Sequence, residues 1–331
     1  MPTSNTTLTA CPVDLATAFS DTLGWWDQYD ALVDLDLGAV LEDVRAVASG
    51  SATVGDLHAN ATTIIQRVSG ARSLNQFTSA EAANALHASR NVLAAFMLAS
   101  HVLYGSDAHA TYKLLQTLPT LAPRHGGKAR PAHDDEILLT RTAAMHSLRR
   151  GGGYPRTAVQ YAVAESGAHP VETTAVRPTD FDSLTVPTTV YLDGPSRWYR
   201  ARTVPLTAFA RHVVREGINA HLAADRHGHQ SRMCFTGTTA GSASASSTNC
   251  LKHLAERVGI TAPSLEGSYA MRWRAHKEMR DNGVGAALQL LGKGRPESDR
   301  QRLSDFLNLP AEATAVELED DYYEIDDLRA F

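Results

Sequence analysis

A mainly helical α+β fold with one small antiparallel sheet is predicted by three features of the 331-residue sequence. Apolar residues recur every three or four positions through most of the chain, the mark of amphipathic helices. Only two short runs, Thr188–Leu192 and Ala201–Leu206, are rich in β-branched residues, and Asp193-Gly194-Pro195-Ser196 between them reads as a hairpin turn. Helices stand both before and after this pair, which places a small sheet inside a helical frame rather than in an alternating α/β array. Hydrophobic residues make up 43% and charged residues 20%, a globular composition at a length that suits two domains, each with its own core.

The elements follow in order. Val13–Ser20, Ala31–Val47 and Val54–Ser69 carry helical periodicity, and Ser79–Leu103 is the strongest, with Thr78 as N-cap and Glu81 as its capping-box partner. Prolines and glycines in Leu118–Arg130 mark a linker, so the expected division is a helical N-terminal domain over 1–123, a linker over 124–132 and a second domain over 133–307. In that second domain Asp134–Leu148 is helical, Gly151-Gly152-Gly153 breaks it, and Tyr154–Ser166 resumes with Pro155 in its first turn. After the hairpin, Thr207–Ala223 is a helix. Gly237–Asn249 is small and polar and reads as a mobile loop. Cys250–Val258, Tyr269–Asp281, Val284–Leu291 and Ser298–Leu307 complete the helices, with Gly283 at a helix–helix turn, and 308–331 is an acidic tail.

Charge divides the chain in the same way. Residues 1–123 hold 5 Lys+Arg against 11 Asp+Glu, 124–302 hold 25 against 16, and 303–331 hold 1 against 9. A basic block between two acidic ones points to a polyanion as partner, with nucleic acid the usual one. No apolar run approaches the roughly 20 residues that span a bilayer, so no membrane partner is expected. Three scattered cysteines do not form a disulfide framework, and Met1–Ala10 does not have the form of a secretory leader; the expectation is an intracellular, cytoplasmic protein.

Three motifs in the second domain resemble the tyrosine recombinase (phage integrase) family. Glu165-Ser-Gly-Ala-His-Pro-Val-Glu172, running on to Asp182, is similar to the family's helix-to-sheet signature; Arg202-Thr203-Val204-Pro205-Leu206 looks like its "K-x-R-x-V-P-L" strand; and Arg272 through Gly283 with Leu290-Leu291-Gly292-Lys293 resembles its "H-x-L-R-H-T…L-L-G-H" stretch. The resemblance covers about 133–303 and implies a DNA breaking-and-rejoining fold with a helical clamp domain before it. In such a site a tyrosine attacks a DNA phosphodiester, arginines stabilise the transition state through bidentate bonds, and a lysine or histidine protonates the leaving oxygen.

Carried over position by position, the resemblance implies a degenerate site. The family's first arginine falls on His169, which cannot make a bidentate clamp, although Glu172 fits the pattern. The hairpin lysine falls on Arg197, whose guanidinium scarcely gives up a proton. The histidine before the second arginine falls on Tyr269, that arginine is kept as Arg272, and the later histidine falls on Lys293. The nucleophile falls at or near Arg302, where no tyrosine stands. The resulting expectation is a double-stranded DNA binder without strand cleavage, accessory or regulatory on a mobile element or plasmid. Phosphate contacts are expected from Arg149, Arg150, Arg156, Arg197, Arg202, Arg272 and Lys293, and a homo-oligomer through tail exchange. Compensation for His169 by Arg156 or Arg177 stays open.

Two alternatives stand beside it: an active recombinase using Tyr322 or Tyr323 of the tail, or a protein-interaction module that kept the fold. The tail itself reads either as docking on the basic face in competition with DNA or as a solvating segment. His221, His227, His229, Cys234, Cys250 and His253 form only a loose metal-capable set, so no metal and no cofactor is expected. Gly151–Gly153 reads as a hinge or a backbone approach to phosphate, and Trp25, Trp26 and Tyr29 as core.

Overall fold

The computed structural model describes residues 8–29, 42, 44–46, 48, 50–64, 80–105, 108–117, 130–149, 156–194, 199–224, 231–234, 240–260, 266–293 and 303–307. It is mostly helical with a two-stranded antiparallel sheet, the α+β class that the periodicity implies.

Helix α1 (Leu15–Gln28) starts at Asp14, whose carboxylate accepts the Thr17 backbone N–H at 2.9 Å and its hydroxyl at 2.6 Å. Its buried face, Ala18, Phe19, Thr22, Trp25 and Trp26, follows the helical period, so both tryptophans belong to the core. Helix α2 (Val54–Ala59) opens with a Thr53/Asp56 capping box. Helix α3 (Ala80–Tyr104) buries every residue from Val92 to Ser100, and Phe96 stacks on Phe19 at 4.2 Å. After the short α4 (His109–Thr117), α5 (Asp134–Arg149) packs along α3.

Polar bonds fix that packing. Trp26 Nε1 donates to Thr142 Oγ1 at 3.0 Å and Asn91 Nδ2 to Asp135 at 2.6 Å. The expected linker largely lies outside the described residues, but Arg130 at its end is buried and paired bidentately with Glu136. Buried apolar side chains from α1 to α5 and from the later helices form one continuous cluster.

Helix α6 (Arg156–Glu165) is the innermost, buried from Ala158 through Glu165. Burying Glu165 is tolerated because Arg141 meets it at 2.7 and 3.0 Å. A short α7 (Pro170–Thr173) leads to the hairpin of β1 (Thr189–Leu192) and β2 (Arg202–Pro205), in register Val190 opposite Val204. Helices α8 (Ala208–Ala224), α9 (Ala240–Arg257) and α10 (Tyr269–Leu290) follow.

One expectation fails outright: 240–249 is not a loop but the first half of α9. Serine and alanine carry little intrinsic penalty in a helix, and tertiary contact supplies the rest. Ser247 is fully buried, sharing a 2.8 Å hydrogen bond with Thr173 of α7, and small side chains there let the two helices approach closely. By contrast, α10 falls into two helical stretches on either side of Gly283, the break expected there, whose φ of 89° suits glycine. A smaller apolar cluster joins Met271, Ala275, Leu288 and Leu291 of α10 and its end to Leu303 and Leu307 of the helical turn 303–307.

Candidate nucleic-acid interface

The sequence His-Pro-Val-Glu over 169–172 builds the first wall of the site. Pro170 presets the first helical φ of α7, and Glu172 reaches back to accept the His169 backbone N–H at 2.7 Å. The imidazole Nδ1 accepts the Val171 N–H at 3.3 Å, which leaves the proton of the neutral ring on Nε2. Burial holds the His169 pKa below its ordinary value; Glu172 opposes this, while Lys293, Arg202 and Arg272 add to it. Among the described residues the cations that bear on His169 are Lys293, Arg202 and Arg272.

Arg202 of β2 is occupied within the protein. Nη1 and Nη2 meet the Glu172 carboxylate at 2.6 and 2.9 Å, Nε donates to the Leu290 carbonyl at 2.7 Å, and the remaining donors reach the Gly167 and Arg200 carbonyls at 3.2 and 3.3 Å. Both ion-pair partners are buried, with side-chain exposures of 7% and 1%, so this expected phosphate contact is instead the bolt joining α7, β2 and the end of α10.

Leu290-Leu291-Gly292-Lys293 sets the second wall by closing α10. Gly292, at φ 66°, passes its N–H to Gln289 O at 2.9 Å, and Lys293 passes its own to Leu288 O at 2.8 Å. The Gly292 carbonyl also accepts the Arg200 N–H at 2.9 Å, which holds the turn against the hairpin. Lys293 Nζ then lies 4.4 Å from the centre of the Tyr199 ring, and that ring lies 4.7 Å from His169. Burial and then Glu172 push the Tyr199 phenol pKa up, against Arg202 and Arg272.

Arg272, on the first turns of α10, completes the cluster. Its Nε donates to Ser268 Oγ at 3.0 Å, Nη2 to Glu266 at 2.9 Å and Nη1 to the Phe306 carbonyl. Phe306 also lays its ring 4.2 Å from the guanidinium carbon. Burial lowers the Arg272 pKa, with Glu266 as the main opposing charge.

His169, Arg202, Arg272 and Lys293 thus converge, and Tyr269 does not. It is fully buried near Tyr161, with ring centres 6.3 Å apart, because burying an aromatic ring in the core outweighs exposing it at a rim. Burial raises its phenol pKa far above the usual range. Arg156 and Arg177 are exposed, and neither is among the charges that bear on His169. Arg150, Arg197, Tyr322 and Tyr323 lie outside the described residues, and Arg149 is described by its backbone alone.

Sequence reasoning missed Tyr199, Glu266 and Phe306. The nucleophile position was expected near Arg302, yet the residue that reaches Arg272 is Phe306. One signal was there to read: Phe306 is the only aromatic residue between Lys293 and the tail tyrosines. Among the described residues no group of three or more His, Cys, Asp or Glu can hold a metal. Cys234 is a buried free thiol whose pKa burial pushes above the usual range, and His221 bonds Ser231 Oγ at 2.9 Å. No helix among the described residues is long and apolar enough to cross a membrane.

Fold and site together define an α+β protein with a cationic cluster at the junction of a hairpin and the end of a long helix. No family model and no curated protein matches the chain. Among solved structures it is similar to an integrase from mycobacterium phage Brujita, at 15% identity over 89% of this chain and 93% of that one, with a TM-score of 0.33. A likeness of that size bears on no residue's role.

Proposed function

We propose that the protein is a double-stranded DNA binder of tyrosine-recombinase-like build that holds a backbone phosphate without cleaving it, in an accessory or regulatory role on a mobile element or plasmid. The observation that carries this reading is the pair Arg272 and Phe306. Support comes from an arginine, the side chain whose fork suits a phosphodiester, lying against a ring that has no hydroxyl to attack phosphorus. Lys293 supplies a second cation and the His169 Nε2–H a neutral donor. Arg202 drops out of the phosphate set, its donors being spent on Glu172 and backbone carbonyls. The basic balance of 124–302 supports the choice of partner.

The test is a salt titration of affinity for duplex DNA beside a denaturing wash. Affinity is expected to fall steeply with salt, and Arg272→Ala or Lys293→Ala should each make the log–log slope shallower by about 0.9. All DNA should leave in denaturing detergent. Detergent-resistant DNA lost in Tyr322→Phe or Tyr323→Phe would refute the non-cleaving reading, and salt-insensitive or absent binding would bring the interaction-module alternative forward.

A further inference from the structure

We infer that the helical turn 303–307 is a lid over the Arg272 site, and that DNA engages Arg272 only when this turn moves away. The inference rests on the phosphate-binding reading above and concerns how that site is regulated. Leu303 and Leu307 lie one helical turn apart and are buried against Met271, Leu288 and Leu291 of α10 and its closing turn. That anchorage brings Phe306 over Arg272, where its ring covers the face of the guanidinium and its carbonyl takes Nη1. Glu266 takes Nη2 and Ser268 takes Nε. The edge that a phosphate would grip with parallel N–H bonds is thus filled from within.

The acceptors that fill it are exchangeable ones. Phe306 contributes a neutral carbonyl, and the Glu266 side chain is 57% exposed, so its ion pair is solvent-screened. A phosphodiester bonds a guanidinium more strongly than the carbonyl does, because the bond is charge-assisted. A cavity of about 110 Å³ lies beside the lid, bordered by Tyr199, Lys293, Leu303 and Phe306. The lid is also tied to charge of the right sign. Residues 308–331 follow it directly in sequence and hold eight Asp+Glu against one Arg. DNA entry and lid release are then one exchange, and apparent affinity scales with the fraction of molecules whose lid is open.

The test measures anisotropy of a labelled mixed-sequence duplex on the full chain and on Phe306→Ala, each alone and each also carrying Arg272→Ala or Lys293→Ala. Phe306→Ala is expected to bind about tenfold tighter than the full chain, as a larger open fraction requires. Arg272→Ala should abolish that gain in the double variant. If Phe306→Ala binds no tighter while Arg272→Ala still weakens the unaltered chain, the lid is wrong and the DNA reading stands. If neither Arg272→Ala nor Lys293→Ala changes binding in either background, both fall. Backbone hydrogen exchange on the unaltered protein covers the case in which Phe306→Ala fails to fold. Added DNA should raise exchange in 303–307 and lower it in the first turns of α10; continued protection of 303–307 in the DNA complex overturns the lid.

Discussion

Replacing Arg202 with methionine keeps the volume of the side-chain stem and removes the guanidinium that joins α7, β2 and the end of α10. Glu172 is then left as a carboxylate with 1% side-chain exposure and only the His169 N–H at 2.7 Å as a described partner. Stranding one member of a buried ion pair costs about 3–5 kcal/mol. The Leu290 and Gly167 carbonyls lose donors at 2.7 and 3.2 Å as well, which keeps the cost from falling below that range. At about 2–4 °C per kcal/mol for a unit of 150–250 residues, thermal unfolding should fall by roughly 6–20 °C. Adding Glu172→Gln should recover about 1–2 kcal/mol, since an amide still accepts the His169 N–H but leaves no charge behind. Urea unfolding followed by far-ultraviolet circular dichroism measures both variants. An unfolding midpoint that does not move, together with a DNA salt slope made shallower by about 0.9, would refute the reasoning and return Arg202 to the phosphate contacts.

Two further outcomes test the frame around the site. Burial alone lowers the His58 pKa from 6.5 to about 4, and its Nε2 has no hydrogen-bond partner. The unfolded chain therefore takes up the proton first as pH falls. Stability from this group is whole above about 6.5 and is lost on the way down to about 4, to a total of about 3 kcal/mol. His58→Leu should flatten that part of the stability–pH curve, and an unchanged curve sinks the assignment. Ser246→Pro, at an exposed position inside α9, should cost about 3 kcal/mol, whereas a loop there would absorb it almost without loss; denaturant melts decide.

The fold class was legible because it rests on periodicity and a single turn signal, and both survive in isolation from the rest of the chain. Helix α9 was not, because Gly-Ser-Ala-Ser-Ala-Ser-Ser over 241–247 has no apolar stripe. What orders it is Thr173 meeting Ser247 across 74 positions of sequence, a contact that no local pattern reports. The site divides in the same way. His169 and Lys293 could be singled out in the sequence because each sits in a short motif with its own backbone reason, a capping box and a helix-closing glycine. Arg202 was expected at a phosphate, whereas in the structure it pairs with Glu172. A basic residue in a strand looks alike whether it faces a phosphate or a buried carboxylate, and only the 30-residue separation from Glu172 closing in space tells the two apart. Phe306 was passed over because the expected position was counted along the chain, while Leu303 and Leu307 set the register by docking on α10.

The bolt and the proposed phosphate cradle are mechanically one object. Arg202 ends on the Leu290 carbonyl, where the closing carbonyls of α10 carry partial negative charge, so a cation there is favoured twice. Two residues later Gly292 accepts the Arg200 N–H, and Lys293 follows with its ammonium over Tyr199. The hairpin thus holds the end of the element whose first turn carries Arg272, with the break at Gly283 lying between the two cations. Charges in this cluster are Arg202, Arg272 and Lys293 against Glu172 and Glu266, so the balance is one net positive charge, enough for one phosphodiester. Glu172 is locked to Arg202 in the interior, whereas Glu266 sits at the surface and can swing aside. On the proposed DNA reading, the carboxylate that yields is the exposed one and the carboxylate that stays is the buried one.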